Sequence, residues 1–280
     1  MGFTWTRNPQ FGVVQDLEKS VSVGFSLESP QALLFNGPNA PLVPTTVSNP
    51  GGNHLNPLAQ YSTDLAPDMV AKMVFEPGWG HYELYGIGRL FRSRAAFANH
   101  TVWGGGGAGA ILPLIPQQLD FQADFLYGDG VDRYGRSGLP DVAIKPTGIL
   151  APVPELQALV GLIGHPTDAL DLYAYASIEQ AAQTSFTVNG TLPFGYGNPL
   201  YKNSGCLHEG SALCAQNTSR VWQIASGAWY SLYKGSYGTL RIGAQGSYTQ
   251  RSIFRGIGGS PSTNEGMFFT SLRYYPPPWP

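Results

Sequence analysis

From Leu240 onward, Leu240, Ile242, Ala244, Gly246 and Tyr248 alternate with Arg241, Gly243, Gln245, Ser247, Thr249 and Arg251. A period of two puts one set on each face of a strand, one face apolar and the other wet. The pattern recurs along the chain. It is cleanest at 119–127, where Leu119, Phe121, Ala123, Phe125 and Tyr127 alternate with Asp120, Gln122 and Asp124. Eleven strands are predicted: 10–17, 20–28, 69–76, 81–91, 102–114, 119–127, 151–163, 170–180, 221–233, 240–251 and 267–275. The prolines Pro152 and Pro154 fall near the start of the seventh, where a missing backbone donor costs least.

The ten connections alternate between short and long; 29–67, 128–149 and 181–219 are the longest, and the first is rich in Pro, Asn and Gly. An up-and-down barrel in an outer membrane has this layout, with brief turns on one side and long loops on the other. A Greek-key sandwich has no reason to keep it. The fold expected is therefore all-β, a transmembrane antiparallel up-and-down β-barrel forming a single domain over 1–280.

Composition favours the same answer. Charged residues are 12% of the chain, about half the usual share, while 15 Tyr, 14 Phe and 6 Trp make it rich in aromatics. Polarity comes from Ser, Thr, Gln, Asn and Gly, which suits a surface that tolerates few charges. A net charge of -2 excludes the clustered basic surface that nucleic acid requires. No apolar run is long enough for a spanning helix, which does not bear on barrel strands.

Eleven strands is an odd number, whereas bacterial barrels of one chain have even counts. The start, Gly2-Phe3-Thr4-Trp5-Thr6-Arg7, has neither the basic beginning nor the apolar core of an export signal. We therefore expect an N-terminal portion beyond this sequence that carries such a signal and about five further strands, closing a sixteen-stranded barrel wide enough for water. Cys206 and Cys214 lie close together in a polar stretch, and a loop disulfide in an oxidising compartment is expected over two free thiols.

Several stretches, Arg7-Asn8-Pro9-Gln10-Phe11, Val23-Gly24-Phe25-Ser26-Leu27-Glu28-Ser29-Pro30-Gln31, Tyr173-Ala174-Tyr175-Ala176 and Leu272-Arg273-Tyr274-Tyr275-Pro276, resemble the later part of Gram-negative outer-membrane porins of the DcaP-like type. The resemblance implies a sixteen-stranded barrel in the bacterial outer membrane and contact with its lipid. It also implies a homotrimer and passive passage of small hydrophilic, including anionic, solutes. One departure is that Pro276-Pro277-Pro278-Trp279-Pro280 runs on where such porins end in an aromatic residue.

Side chains on the wet faces are the candidate pore lining: Arg89, Arg241, Arg251 and Arg273, with loop Arg92 and Arg94, opposite Glu28, Glu83, Asp120, Asp124, Asp171 and Glu179. Walls of opposite sign would create a transverse field that sets solute preference. Local ion pairs among solvated side chains are the alternative. No catalytic motif is present. The run Gly104-Gly105-Gly106-Gly107-Ala108-Gly109 lacks the Lys-Ser/Thr of a phosphate loop, and its glycines suit bending, close approach of a neighbour or a packed subunit contact. His54, His81, His100, His165 and His208 have no ligand spacing, so no metal or other cofactor is expected. Asp120 and Asp124, four apart on a strand, stand roughly 13 Å from one another, too far for glycosidase chemistry. A channel is thus expected, not an enzyme; a membrane hydrolase and a soluble β-sandwich binding module are the competing classes.

Overall fold

The computed structural model describes residues 8–39, 64–93 and 99–277. Within them the chain makes sixteen strands: β1 (Gln10–Glu18), β2 (Val21–Glu28), β3 (Leu34–Phe35), β4 (Asp68–Phe75), β5 (His81–Ser93), β6 (Asn99–Ile115), β7 (Leu119–Asp129), β8 (Val142–Ile144), β9 (Leu150–Pro152), β10 (Pro154–Thr167), β11 (Leu170–Ala181), β12 (Thr184–Val188), β13 (Leu192–Tyr196), β14 (Thr218–Gly235), β15 (Gly238–Ile253) and β16 (Ser262–Tyr275). Eleven of them form one sheet in the order β1-β2-β4-β5-β6-β7-β10-β11-β14-β15-β16, with every neighbouring pair antiparallel. These are the eleven strands of the sequence pattern, in an up-and-down meander. No ladder joins β1 to β16 among the described residues, so ring closure is not part of the observed sheet.

Register carries each face of the pattern across the whole sheet. On one face Glu83 lies opposite Gly109, then come Asp124, Leu159, Ser177, Gln223, Thr249 and Glu265. One residue along, on the other face, the row reads Tyr82, Ala110, Ala123, Val160, Ala176, Ile224 and Tyr248. A slip of one residue in any ladder would interleave the rows, which is why the pattern specifies register so firmly.

The apolar face is not covered by a second sheet. Leu84 is 55% exposed, Tyr127 55%, Ile224 53% and Phe268 73%, which overturns the sandwich alternative. Among the described residues, charged side chains on this face are confined to Glu18, Arg92, Asp129 and Arg220, all near strand ends. The buried apolar clusters sit instead on the other face, where two connecting segments fold back over it. Phe91, Val142, Ile144 and Leu150 form one cluster; Leu139, Ala143, Val153, Ala181 and Tyr196 form a second; Ile87, Leu126, Val131 and Tyr134 form a third.

Element boundaries differ from the pattern at the loop end. Of the expected loop through Arg92, Arg94 and His100, Arg92 and His100 are paired within the ladder, which β5 and β6 continue to Ser93 and Asn99; Arg94 lies outside the described residues. Strand β16 begins at Ser262, five residues earlier than its alternation shows, since polar Thr263 and Glu265 pair with Arg251 and Thr249 of β15. The seventh predicted strand divides: β9 leaves the wall to pair with β8, and β10 starts at Pro154. Strands β3, β8 and β9 form a small sheet of their own, and β12 and β13 a hairpin.

Candidate functional site

The inward-folded segments pack against the wet face. Its first device is a set of flat aromatic side chains. Tyr85 on β5 lies across Gly107 of β6 to donate its hydroxyl to Asp124 Oδ1 on β7 at 2.9 Å. Tyr175 on β11 crosses Gly161 of β10 to reach Gln122 Oε1 of β7 at 2.9 Å, and Tyr173 crosses Gly227 of β14 to reach Gln245 Oε1 of β15 at 2.8 Å. Trp229 of β14 covers Gly243 of β15, with the Arg273 guanidinium 4.3 Å from its ring centre and that of Arg241 at 5.6 Å. In each case a Cβ on the glycine would collide with the ring. Gly107, within the glycine run, thus serves close approach of a neighbour and not phosphate binding.

The second device is a plug of backbone over the loop end. Residues 31–35 and 130–153 fold inward, with a short 3-10 turn at Asp132–Tyr134. Wall side chains hold this segment by its main chain. Glu155 Oε2 accepts the Val131 N–H at 2.7 Å, and Glu179 Oε2 accepts those of Arg136 and Ser137 at 2.9 and 2.5 Å. Arg89 lies at the centre, with its side chain fully buried. It donates Nε to Asp68 Oδ2 at 3.1 Å, Nη1 to Asp141 Oδ1 and to the Gly130 carbonyl at 2.6 Å each, and Nη2 to the Gln31 carbonyl. Its guanidinium carbon stands 4.9 Å from the centre of the Phe91 ring. On the plug, Asp141 gathers Arg89, the Leu33 N–H at 2.7 Å and the Arg133 N–H at 3.0 Å, so one carboxylate ties both inward segments to the wall.

A buried guanidinium needs this many partners, because unpaired charge away from water is costly. The acids around it also feel that burial. Asp64, bridged to Phe91 just ahead of β4, has its carboxyl pushed up to about 7 by burial, against the pull of Arg89. Burial likewise holds Asp132 well above the usual carboxylate range and lifts the Tyr134 phenol.

The ten predicted lining residues therefore divide. Arg89 and Glu179 point to the expected face, but both are sealed under the plug and not wetted; an inward loop needs partners for its backbone, and these two supply them. Glu28, Glu83, Asp120, Asp124, Asp171, Arg241, Arg251 and Arg273 also lie on that face, on β2, β5, β7, β11, β15 and β16. Several meet in local pairs: Lys72 with Glu83 at 2.6 Å, His165 with Asp171 at 2.7 Å, and Arg241 with Asp171. Arg251 makes no ion pair among the described residues; its Nε donates to Thr218 Oγ1 at 2.7 Å and its Nη2 to the Gln216 carbonyl at 3.0 Å. It borders a cavity of ≈ 390 Å³ between plug and wall, which Ser137, Tyr196 and Thr218 also line. Arg92 lies on the opposite, outward face, and Arg94 falls outside the described residues. Cys206 and Cys214 are joined by a disulfide across the third long connection.

Sequence reasoning missed Asp68, Asp141, Asp132, Glu155 and Gln157. Glu155 and Gln157 carry a signal, since they alternate with Leu156 and Ala158 on a strand otherwise read from its apolar residues. Asp132 and Asp141 lie in an aperiodic loop and carry none.

No family model matches the chain, and no curated protein does. Among solved structures the chain is similar to the outer membrane channel DcaP of Acinetobacter baumannii, with a TM-score of 0.64 and 14% sequence identity over 95% of this chain and 62% of that one. The chain thus spans less than two thirds of that channel's length, and at this identity the likeness is one of fold.

Proposed function

We propose that the chain forms the wall and the constriction of a water-filled β-barrel channel in the outer membrane, through which small hydrophilic solutes diffuse. The observation that carries this is the division of the eleven-stranded sheet: exposed apolar rows with charges only at strand ends on one face, and a polar face onto which the long connections fold on the other. Hydrocarbon tolerates the first face and water the second. The shared fold with an outer membrane channel supports the same reading. In hydrocarbon the backbone groups of the edges at β1 and β16 must be paired, and further strands that close the ring are part of the proposal.

The plug of 31–35 and 130–153 would set the bore. Arg251 and Arg273, neither of them in an ion pair among the described residues, support a preference for anionic solutes. Small outward residues Gly86, Gly88, Gly104, Gly106, Ala108 and Ala110 on β5 and β6 support a flat contact between subunits, in keeping with a homotrimer.

Purified protein added to a planar bilayer is expected to produce stepwise conductance. Reversal potentials in a salt gradient then report the preferred ion sign. A membrane that stays sealed at high protein, with insertion verified by flotation, would refute the channel.

A further inference from the structure

Between β10 and the turn at Asp132–Tyr134, four side-chain oxygens are buried without a hydrogen-bond partner: both carboxylate oxygens of Asp132, Oε1 of Glu155 and Oε1 of Gln157. The three residues are at most 1% exposed. Their placement is fixed through one intervening residue. The N–H of Val131 is donated to Glu155 Oε2 at 2.7 Å, and the Val131 carbonyl accepts Gln157 Nε2 at 3.2 Å. Each wall side chain is thus anchored by one atom on Val131, next in sequence to Asp132, and its other atom, an oxygen, has no protein partner. The Leu139 backbone N–H favours the charge of Asp132, yet it does not reach hydrogen-bonding geometry.

The neighbouring acids are served by other groups. Asp68 and Asp141 share Arg89, and Glu179 takes two backbone N–H donors. Asp132 and Glu155 make no ion pair among the described residues, so oxygens of two carboxyls and an amide are left without a close protein partner in a buried site. Orphaned oxygens of this kind are rare in folded proteins, and a bound ion or water is one of the ways they are satisfied.

We propose that Asp132, Glu155 and Gln157 hold a calcium ion that clamps the inward-folded segment to the wall. Calcium takes carboxylate and amide oxygens in irregular, flexible arrangements and completes its shell with backbone carbonyls and water, whereas magnesium demands near-octahedral geometry and keeps its own waters. Among the described residues no three carboxylate, imidazole or thiol groups converge on one point, so a site for a softer transition metal is not on offer. Two carboxylates match one divalent charge.

The test needs no transport measurement and so stands or falls apart from the channel reading. Protein in detergent, stripped with chelator, is titrated with Tb3+, whose emission is sensitised by the adjacent Tyr134, and then with Ca2+ in competition. One saturable site is expected, displaced by Ca2+ far more readily than by Mg2+. Asp132→Asn and Gln157→Met, the second removing the oxygen together with the amide donor to Val131 at little change in size or charge, are each expected to weaken binding by at least about tenfold. Anomalous diffraction from Tb3+-soaked crystals of the unaltered protein places the ion, should Asp132→Asn fail to fold. No saturable binding, binding unchanged in both variants, or an anomalous peak elsewhere would overturn the site. So would a loop whose protease resistance ignores chelator and only rises with acid, which would assign the carboxyls a shared proton.

Discussion

Replacing Arg89 by methionine keeps the bulk of the side chain and removes its charge and all its donors. Two carboxylates, Asp68 and Asp141, and two carbonyls, those of Gly130 and Gln31, then lose their donor in a site closed to water. Breaking a buried ion pair from one side costs about 3–5 kcal/mol. Those partners join the wall to both inward segments, so the loss falls on docking of the plug and not on the sheet. At 1.36 kcal/mol per decade, the population of undocked plug rises by about two to nearly four orders of magnitude. Limited trypsin digestion reads this directly, because cleavage at Arg133 and Arg136 tracks the open fraction when opening is fast. Arg89→Met is expected to speed that cleavage by at least about a hundredfold, to leave the β-sheet circular dichroism intact, and to raise single-channel conductance and its noise. Arg89→Lys keeps the charge but loses the forked geometry, and falls between. Cleavage and conductance equal to those of the parent protein in Arg89→Met would refute the assignment of Arg89 as the central tie.

Three further outcomes follow from the same geometry. Val160, outward and 48% exposed in the middle of β10, should tolerate arginine poorly, at about 2–4 kcal/mol in refolding into lipid vesicles, while inward Ser271→Arg costs much less; equal tolerance would reverse the assignment of faces. Asp64 has its carboxyl raised to about 7 when docked, so the docked state holds a proton that the released state gives up at ordinary carboxylate pH. Docking is therefore firmest below about pH 4, weakens as pH rises from there through 7, and levels off above; trypsin sensitivity should rise over that window, and Asp64→Asn should flatten the rise. Opening the Cys206–Cys214 link by replacing both residues with serine frees a loop of about nine residues, worth about 2–3 kcal/mol in the chain-entropy account; faster cleavage at Lys202 is expected, and an unchanged rate would show the loop to be held by its other contacts.

The strands, their order and the two faces were written in the alternation itself. A period-two pattern such as that of 119–127 fits no other regular structure, and eleven such runs joined by mostly short and long links in turn leave a meander as the simplest path. Strand ends were less legible, because β16 begins at Ser262 and runs through Thr263 and Glu265, where both faces are polar and alternation has nothing to show. Ring closure is likewise a matter of hydrogen bonds between β1 and β16 or other strands, and no pattern within a strand encodes it.

The site was legible only in half. Period two placed Arg89 and Glu179 on the inner face, but whether an inward side chain meets water or another segment depends on where residues 130–153 travel, and that segment has no period. Its path was decided by tertiary pairing: Asp141 meeting Arg89 across 52 residues of chain, and Glu155 meeting the Val131 N–H across 24. Local patterning specifies which face a side chain takes, because that is a property of one strand. Burial is a property of what arrives from elsewhere, and only the folded chain brings it.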